Sequence, residues 1–122
     1  MEPMPTSDSV VRQGEHLAAV TNGIVQLFRE YYGRGPNKAK SYILDDRIVV
    51  CVLEDTLTTV EQTLVRNGHA DMVRQVRLTF QEAMKDEFEG VVEKAMERRV
   101  AAYHSQLTMK PDMGFEFFVL ED

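Results

Sequence analysis

The sequence predicts an α+β fold, a four-stranded and mostly antiparallel sheet with long helices packed on one face, in the order α-β-β-α-α-β-β. Three observations carry this prediction. Apolar side chains recur at helical spacing over residues 8–32 and again over 70–97. Between and after these stretches lie two pairs of β-rich runs, each pair joined by a short turn, as in consecutive hairpins. No residue-level repeat underlies the echo of helix and hairpin, so it is topological only.

Residues 1–7 hold two prolines and small polar side chains. They carry too little apolar surface to offset the entropy of ordering, so a disordered tail is expected there, with 8–122 forming a single domain. In the first helix Val10, Leu17, Ile24 and Tyr31 recur every seven residues beside a stripe of Val11, Ala18, Val25 and Tyr32, and Phe28 fills the gap. Ser7, Asp8 or Ser9 can cap it. Gly33 through Gly35-Pro36 must end it, because proline lacks the amide and restricts the residue before it.

Lys38–Leu44 and Arg47–Leu53 follow, separated by Asp45-Asp46, which suits a hairpin although Asp-Asp is a weaker turn signal than Asp-Gly. The second run is apolar at nearly every position, which predicts an inner strand covered on both faces. Thr58 and Glu61 have the spacing of a capping box, opening a short helix that Asn67-Gly68 closes. A long helix is then expected from about Ala70 to Glu97. Val100–Thr108 and Phe115–Leu120 make the second hairpin, where Pro111 presets the first turn position and Gly114 supplies a positive φ.

A helix over 70–97 would span roughly 42 Å at 1.5 Å per residue, against a diameter of about 35 Å for a compact chain of this length. It would overhang its own globule, so a homodimer is expected, unless a break near Gly90 shortens it.

The chain has 122 residues, 43% apolar and 28% charged, with a formal net charge of −6. Nucleic acid and anionic lipid both demand a broad positive field, against which this balance argues, so nucleic acid is not the expected partner and any anion site must be local. A single cysteine, Cys51, rules out an intrachain disulfide, and its apolar flanks predict a buried, inert thiol in a reducing compartment. The first residues lack the apolar core of a secretory signal, and no run reaches the roughly 18 apolar residues of a membrane span. A cytoplasmic location without membrane insertion is the expectation.

Gly33-Arg34-Gly35-Pro36 followed by Tyr42-Ile43, Leu53-Glu-Asp-Thr-Leu-Thr58, a helix around Phe80–Phe88 and Phe118-Val-Leu-Glu121 resembles the MpsC-like family of small bacterial proteins. The resemblance covers roughly residues 10–121 in one order. It implies an association with a membrane-potential-generating, cation-translocating system linked to inorganic-carbon uptake, as a soluble partner.

The loop Gly33, Arg34, Gly35, Pro36, Asn37, Lys38, Ala39 and Lys40 sets three cations among glycines whose amides can approach a ligand closely, as in a phosphate or carboxylate nest. Gly33, Arg34, Gly35, Asn37, Lys38 and Lys40 are therefore the candidate anion-binding residues. It lacks the spacing of a Walker A loop, and the alternative is a helix stop followed by an edge strand guarded by lysines. Arg29, Tyr31, Tyr32 and Arg34 interleave charge with aromatic faces as in an RNA-binding surface, but two adjacent tyrosines on an apolar helical stripe are more often core or interface.

Asp45-Asp46 and Glu54-Asp55 would lie about 25 Å apart on an extended strand, too far to form one two-carboxylate site within a chain. Glu54-Asp55 suits a helix start or a hard-cation site, but lacks the alternating ligands of a calcium loop. His16, His69 and His104 share no metal spacing, Ser41 and Ser105 lack a nucleophile elbow, and no dinucleotide fingerprint occurs, so no metal or cofactor is expected.

The leading reading is a non-enzymatic accessory or regulatory protein, a homodimer that presents its basic loop to an anionic ligand or to a membrane transport partner. Two others stand beside it: a small enzyme whose site forms across a dimer interface, bringing His104 or Glu54 near a second chain's Arg34, and a pure protein adaptor.

Overall fold

The computed structural model describes residues 7–122, with side chains from residue 10. Residues 1–6 of the expected tail, and the candidate capping side chains at 7–9, lie outside the described residues; Ser7 itself opens the first helix. The elements are α1 (Ser7–Tyr32), β1 (Lys38–Leu44), β2 (Ile48–Glu54), α2 (Thr59–Arg66), α3 (Ala70–Ala83), α4 (Lys85–Met96), β3 (Val100–Thr108) and β4 (Met113–Leu120). They form an α+β fold whose four-stranded antiparallel sheet has the order β1-β2-β4-β3.

Local chemistry accounts for the joints. Gly33 takes φ +77 and its amide donates to the Arg29 carbonyl, which stops α1 in a backbone conformation that favours glycine. Asp45 and Asp46 both adopt positive φ, as a two-residue hairpin turn of the primed type requires. The capping box at α2 is complete: the Glu61 amide donates to Thr58 Oγ1 at 3.2 Å, and the Thr58 amide donates to Glu61 Oε1 at 2.9 Å.

The predicted long helix is two helices, so the chain has one helix more than expected. The interruption falls at Met84 (φ −103, ψ 9), not near Gly90. The buried residues of α4 are Phe88, Val92 and Met96. Along one straight helix Phe88 would fall only about 20° from Arg77, but Val92 and Met96 would fall about 60° and about 100° from it, off the face set by Val73 and Arg77. A second axis restores their aim. The break also shortens α3 to 14 residues and α4 to 12, about 21 and 18 Å, and the overhang argument for a dimer disappears.

The second hairpin differs in detail. Gly114 supplies no positive φ for the turn; it lies within β4, paired with Leu53 and Leu107, where a Cβ would sit 3.5 Å from the Leu53 side chain. A bulge at Ala101 lets Val100 and Tyr103, three residues apart, both point inward.

Helices cover one face of the sheet. Val20, Ile24 and Phe28 of α1, with Phe88, Val92 and Met96 of α4, pack on Val49, Cys51, Leu53, Phe118 and Leu120. Each such large side chain contributes about 1.5–3 kcal/mol by leaving water. β2 is an inner strand, as expected, but only one of its faces belongs to this core. Ile48, Val50 and Val52 point to the opposite face, beside Phe115, Phe117 and Val119 of β4, and none joins the core or packs against it.

Candidate functional site

The basic loop lies at the same end of the sheet as the turn of the second hairpin, because β2 pairs with both β1 and β4 and sets Lys38 against Glu54 and Glu54 against Met113. Arg34 turns inward. Its Nη1 donates to the Leu57 carbonyl at 2.9 Å, and its Nη2 donates to the Asp55 carbonyl at 3.1 Å and to Asp55 Oδ2 at 2.8 Å. Asp112 secures the same segment, its carboxylate accepting from the Thr56 amide, the Thr56 hydroxyl and the Leu57 amide. Asp55 itself holds φ +61, a conformation costly to a non-glycine residue that these bonds over-determine.

Two of the loop's amides are also bonded internally, Gly33 to Arg29 and Asn37 to Glu54. Asn37, Lys38 and Lys40 remain exposed, with the Lys40 ammonium 5.3 Å from the centre of the Tyr42 ring. The structure thus gives Arg34 a carboxylate partner within the chain and sets Lys38 and Lys40 on the open face of the sheet, alternating with Ala39 and Ser41.

Other residues singled out in the sequence fall apart in space. Asp46 pairs with Arg98 at 3.6 Å, His69 precedes α3 without a side-chain cap bond, and His104 stacks on Phe117 at 6.3 Å on the open face of the sheet. Ser41 shares a hydrogen bond of 2.7 Å with Thr21. Burial pushes the Cys51 thiol up to about 11, so it stays protonated and unreactive at neutral pH. Among the described residues no group of His, Cys, Asp and Glu is placed to hold a metal ion, and no helix is long and apolar enough to cross a membrane.

The sequence did not reveal the ionisable groups inside the helix-sheet layer. Arg77 of α3 is buried and grips Glu61 of α2 with two bonds, Nε to Oε2 at 2.7 Å and Nη2 to Oε1 at 2.6 Å, while Nη2 also donates to the Thr56 carbonyl. Its guanidinium lies 3.8 Å from the centre of the Tyr32 ring. Burial alone would raise the Glu61 pKa. Bonds from Arg77 and from Thr58 outweigh that burial and hold the carboxyl below the usual range. The signal was an arginine four residues after Val73 and three before Phe80, in the apolar stripe of a helix.

Glu116 sits on the inner face of β4, between Cys51 of β2 and Ser105 of β3. It is 2% exposed and accepts from the Tyr103 hydroxyl at 2.8 Å. Burial pushes its carboxyl up to about 7, although Ser105, Tyr103 and the charge of Arg77 pull the other way. Near it, between α3 and β3, opens a cleft of about 330 Å³ lined by Arg74, Arg77, Gln81, His104, Ser105 and Gln106. This arrangement can hold one proton that exchanges near neutrality. Glu116 was legible only as the polar residue that alternates with Gly114 and Phe118 on one face of a strand.

Three comparisons bear on identity. No curated protein and no solved structure matches the chain. A family model described as the Na+-translocating membrane potential-generating system (MpsC) matches residues 12–122, nearly the whole chain. The match runs from Arg12 within α1 to the end of the chain, including the Gly33–Lys40 loop and the buried Arg77–Glu61 and Tyr103–Glu116 pairs. The chain belongs to the MpsC family.

Proposed function

We propose that this protein is a non-catalytic accessory or regulatory subunit that serves a membrane ion or bicarbonate transport system by binding, and that it works as a cytoplasmic homodimer. The observation that carries this reading is an apolar sheet face without a cover, in a chain whose buried polar side chains all have partners among the described residues. Apolar surface left in water signals a binding surface, whereas paired buried charges stabilise the fold. The family description supplies the link to Na+ translocation.

Within this reading the Gly33–Lys40 loop contacts an anionic group, a phosphate or carboxylate, through Asn37, Lys38 and Lys40. Arg34 joins only by exchanging Asp55 for the ligand. The double variant Lys38→Ala, Lys40→Ala is expected to weaken anion binding and leave the thermal midpoint unchanged, whereas Arg34→Ala lowers the midpoint because it removes three hydrogen bonds. Anion affinity unchanged in the lysine variant would remove the site assignment.

The accessory role is tested by recording the Na+-dependent membrane potential of cells with and without this chain. A fall on removal, restored by resupply, is the expected result; an unchanged potential would refute the role. A second reading, a small enzyme, is favoured by one observation, the cleft lined by Arg77, His104 and Ser105, whose Ser105 pairs across the strands with the buried Glu116. Loss of function in Glu116→Gln with the fold intact would move the weight to that reading.

A further inference from the structure

We infer that the open face of the sheet is the seat of a second copy of this chain, packed sheet against sheet. The inference rests on the homodimer reading above and names its interface. Strand pairing arranges the outward side chains in four rows across the sheet. Leu44, Ile48, Val119 and Ala102 form an apolar row at one end. Tyr42, Val50, Phe117 and His104 form the next, and Lys40, Val52, Phe115 and Gln106 the third. Lys38, Glu54, Met113 and Thr108 close the other end. The charges of this face, Lys38, Lys40 and Glu54, thus gather toward one rim, which leaves an apolar centre with a polar border.

Charge placement favours a copy of the same chain. A two-fold axis between the sheets and parallel to the strands sets β1 over the partner's β3 and β2 over the partner's β4, and keeps each row facing itself. The apolar row then meets the apolar row. Lys40 lies beside the partner's Gln106 and Lys38 beside the partner's Thr108 at the outer edge of β1, where their ammonium groups stay in water, and Glu54 lies over the partner's Met113, so no like charges oppose. Such an interface is isologous and closes at two copies. Face-to-face sheets sit about 10 Å apart, and with the axis along the mean strand direction it bisects a crossing near −30°, a spacing that interdigitated Phe, Val and Tyr side chains fill.

Area is sufficient. Four strands at about 4.8 Å and seven residues at about 3.3 Å make a face of about 19 by 23 Å, or about 440 Å². Two copies remove about 900 Å² before the relief of the side chains is counted, and that relief brings the total to the roughly 1,000 Å² that a specific interface needs. The lysines of β1 disfavour edge-to-edge extension at one edge of the sheet, and the bulge at Ala101 interrupts β3 at the other. Of the other exposed apolar side chains among the described residues, Val60, Met72, Val76 and Leu78 lie on α2 and α3 around the Asp71–Arg74 ion pair, and Val10, Val11 and Tyr31 lie on α1.

Light scattering at micromolar concentration is expected to give twice the 14.0 kDa chain mass. Phe117→Glu and Val50→Glu should each weaken association at least tenfold while the far-ultraviolet circular dichroism stays unchanged, and Val76→Glu should remain dimeric. Should either sheet variant lose its helical signal, Tyr42→Glu, at a position 44% exposed on the edge strand, carries the same test. A dimer that survives the sheet variants but dissociates with Val76→Glu would overturn this interface and keep the homodimer. A monomeric wild type would overturn both, leaving the accessory role to the membrane-potential measurement.

Discussion

Replacing Glu116 by Gln should remove a pH dependence of stability that the wild-type protein carries between about pH 4.5 and pH 7. In the folded protein burial raises the Glu116 carboxyl from 4.5 to about 7, whereas the unfolded chain releases that proton near 4.5. Over this window the folded state therefore binds more protons than the unfolded state, and stability falls as pH rises. The contribution is complete below 4.5, is lost progressively up to about 7, and stays lost above. A difference of about 2.5 pH units at 1.36 kcal/mol each amounts to about 3 kcal/mol. That is a large fraction of the 5–15 kcal/mol typical of a small domain.

Gln keeps the acceptor for the Tyr103 hydroxyl and cannot ionise, so its profile should be flat where the wild type slopes. Glu61 contributes in the opposite sense. Its carboxyl is held below the usual range, so its stabilisation is present above about 4.5 and is lost as pH falls below that value. The two windows do not overlap. Urea denaturation followed by circular dichroism at pH 5, 6, 7 and 8 samples the Glu116 window alone. A wild-type stability equal at pH 5 and pH 8, or a Glu116→Gln variant that keeps the slope, would refute the assignment of a buried titrating carboxyl.

Further expectations follow from the packing. Arg77→Ala should destabilise by about 3–5 kcal/mol, since it leaves Glu61 buried without its partner; Arg77→Lys should recover little, because an ammonium reproduces neither the two-point contact nor the stacking on Tyr32. Chemical denaturation of both variants checks this. Gly23→Ala should cost about 1–3 kcal/mol, because a Cβ there runs into a Val91 methyl where α1 crosses α4, whereas Gly90→Ala meets nothing and should be neutral or stabilising. Their thermal midpoints, measured side by side, decide it. Cys51, with a raised thiol pKa and full burial, should react with a disulfide reagent at pH 7.5 only as fast as the protein opens, and fully in urea.

Much of the fold was legible because local chemistry dictated it. Gly33 had to stop a helix, Thr58 and Glu61 had to cap one, and alternating β-branched runs had to pair as hairpins. The break at Met84 was not legible, since Ala83-Met84-Lys85 contains no residue that disfavours a helix. It follows from the two stripes aiming at different neighbours. Arg34 illustrates the same limit at the candidate site. Beside Gly33, Gly35, Lys38 and Lys40 it reads as part of an anion site, but the return of the chain at Asp55 and Leu57 places three acceptors around it.

The sequence by itself determined the α+β class, most element boundaries, the family and the inertness of Cys51, because each depends on spacing, capping and composition within short windows. Tertiary structure decided the strand order, the buried Arg77–Glu61 and Tyr103–Glu116 pairs, and the open apolar face. Those features depend on which residues, distant along the chain, share one side of a sheet. The solvation of a charge or an apolar side chain is set by such neighbours, so neither Glu116 nor Phe117 discloses its role until the sheet assigns one to the core and the other to the surface.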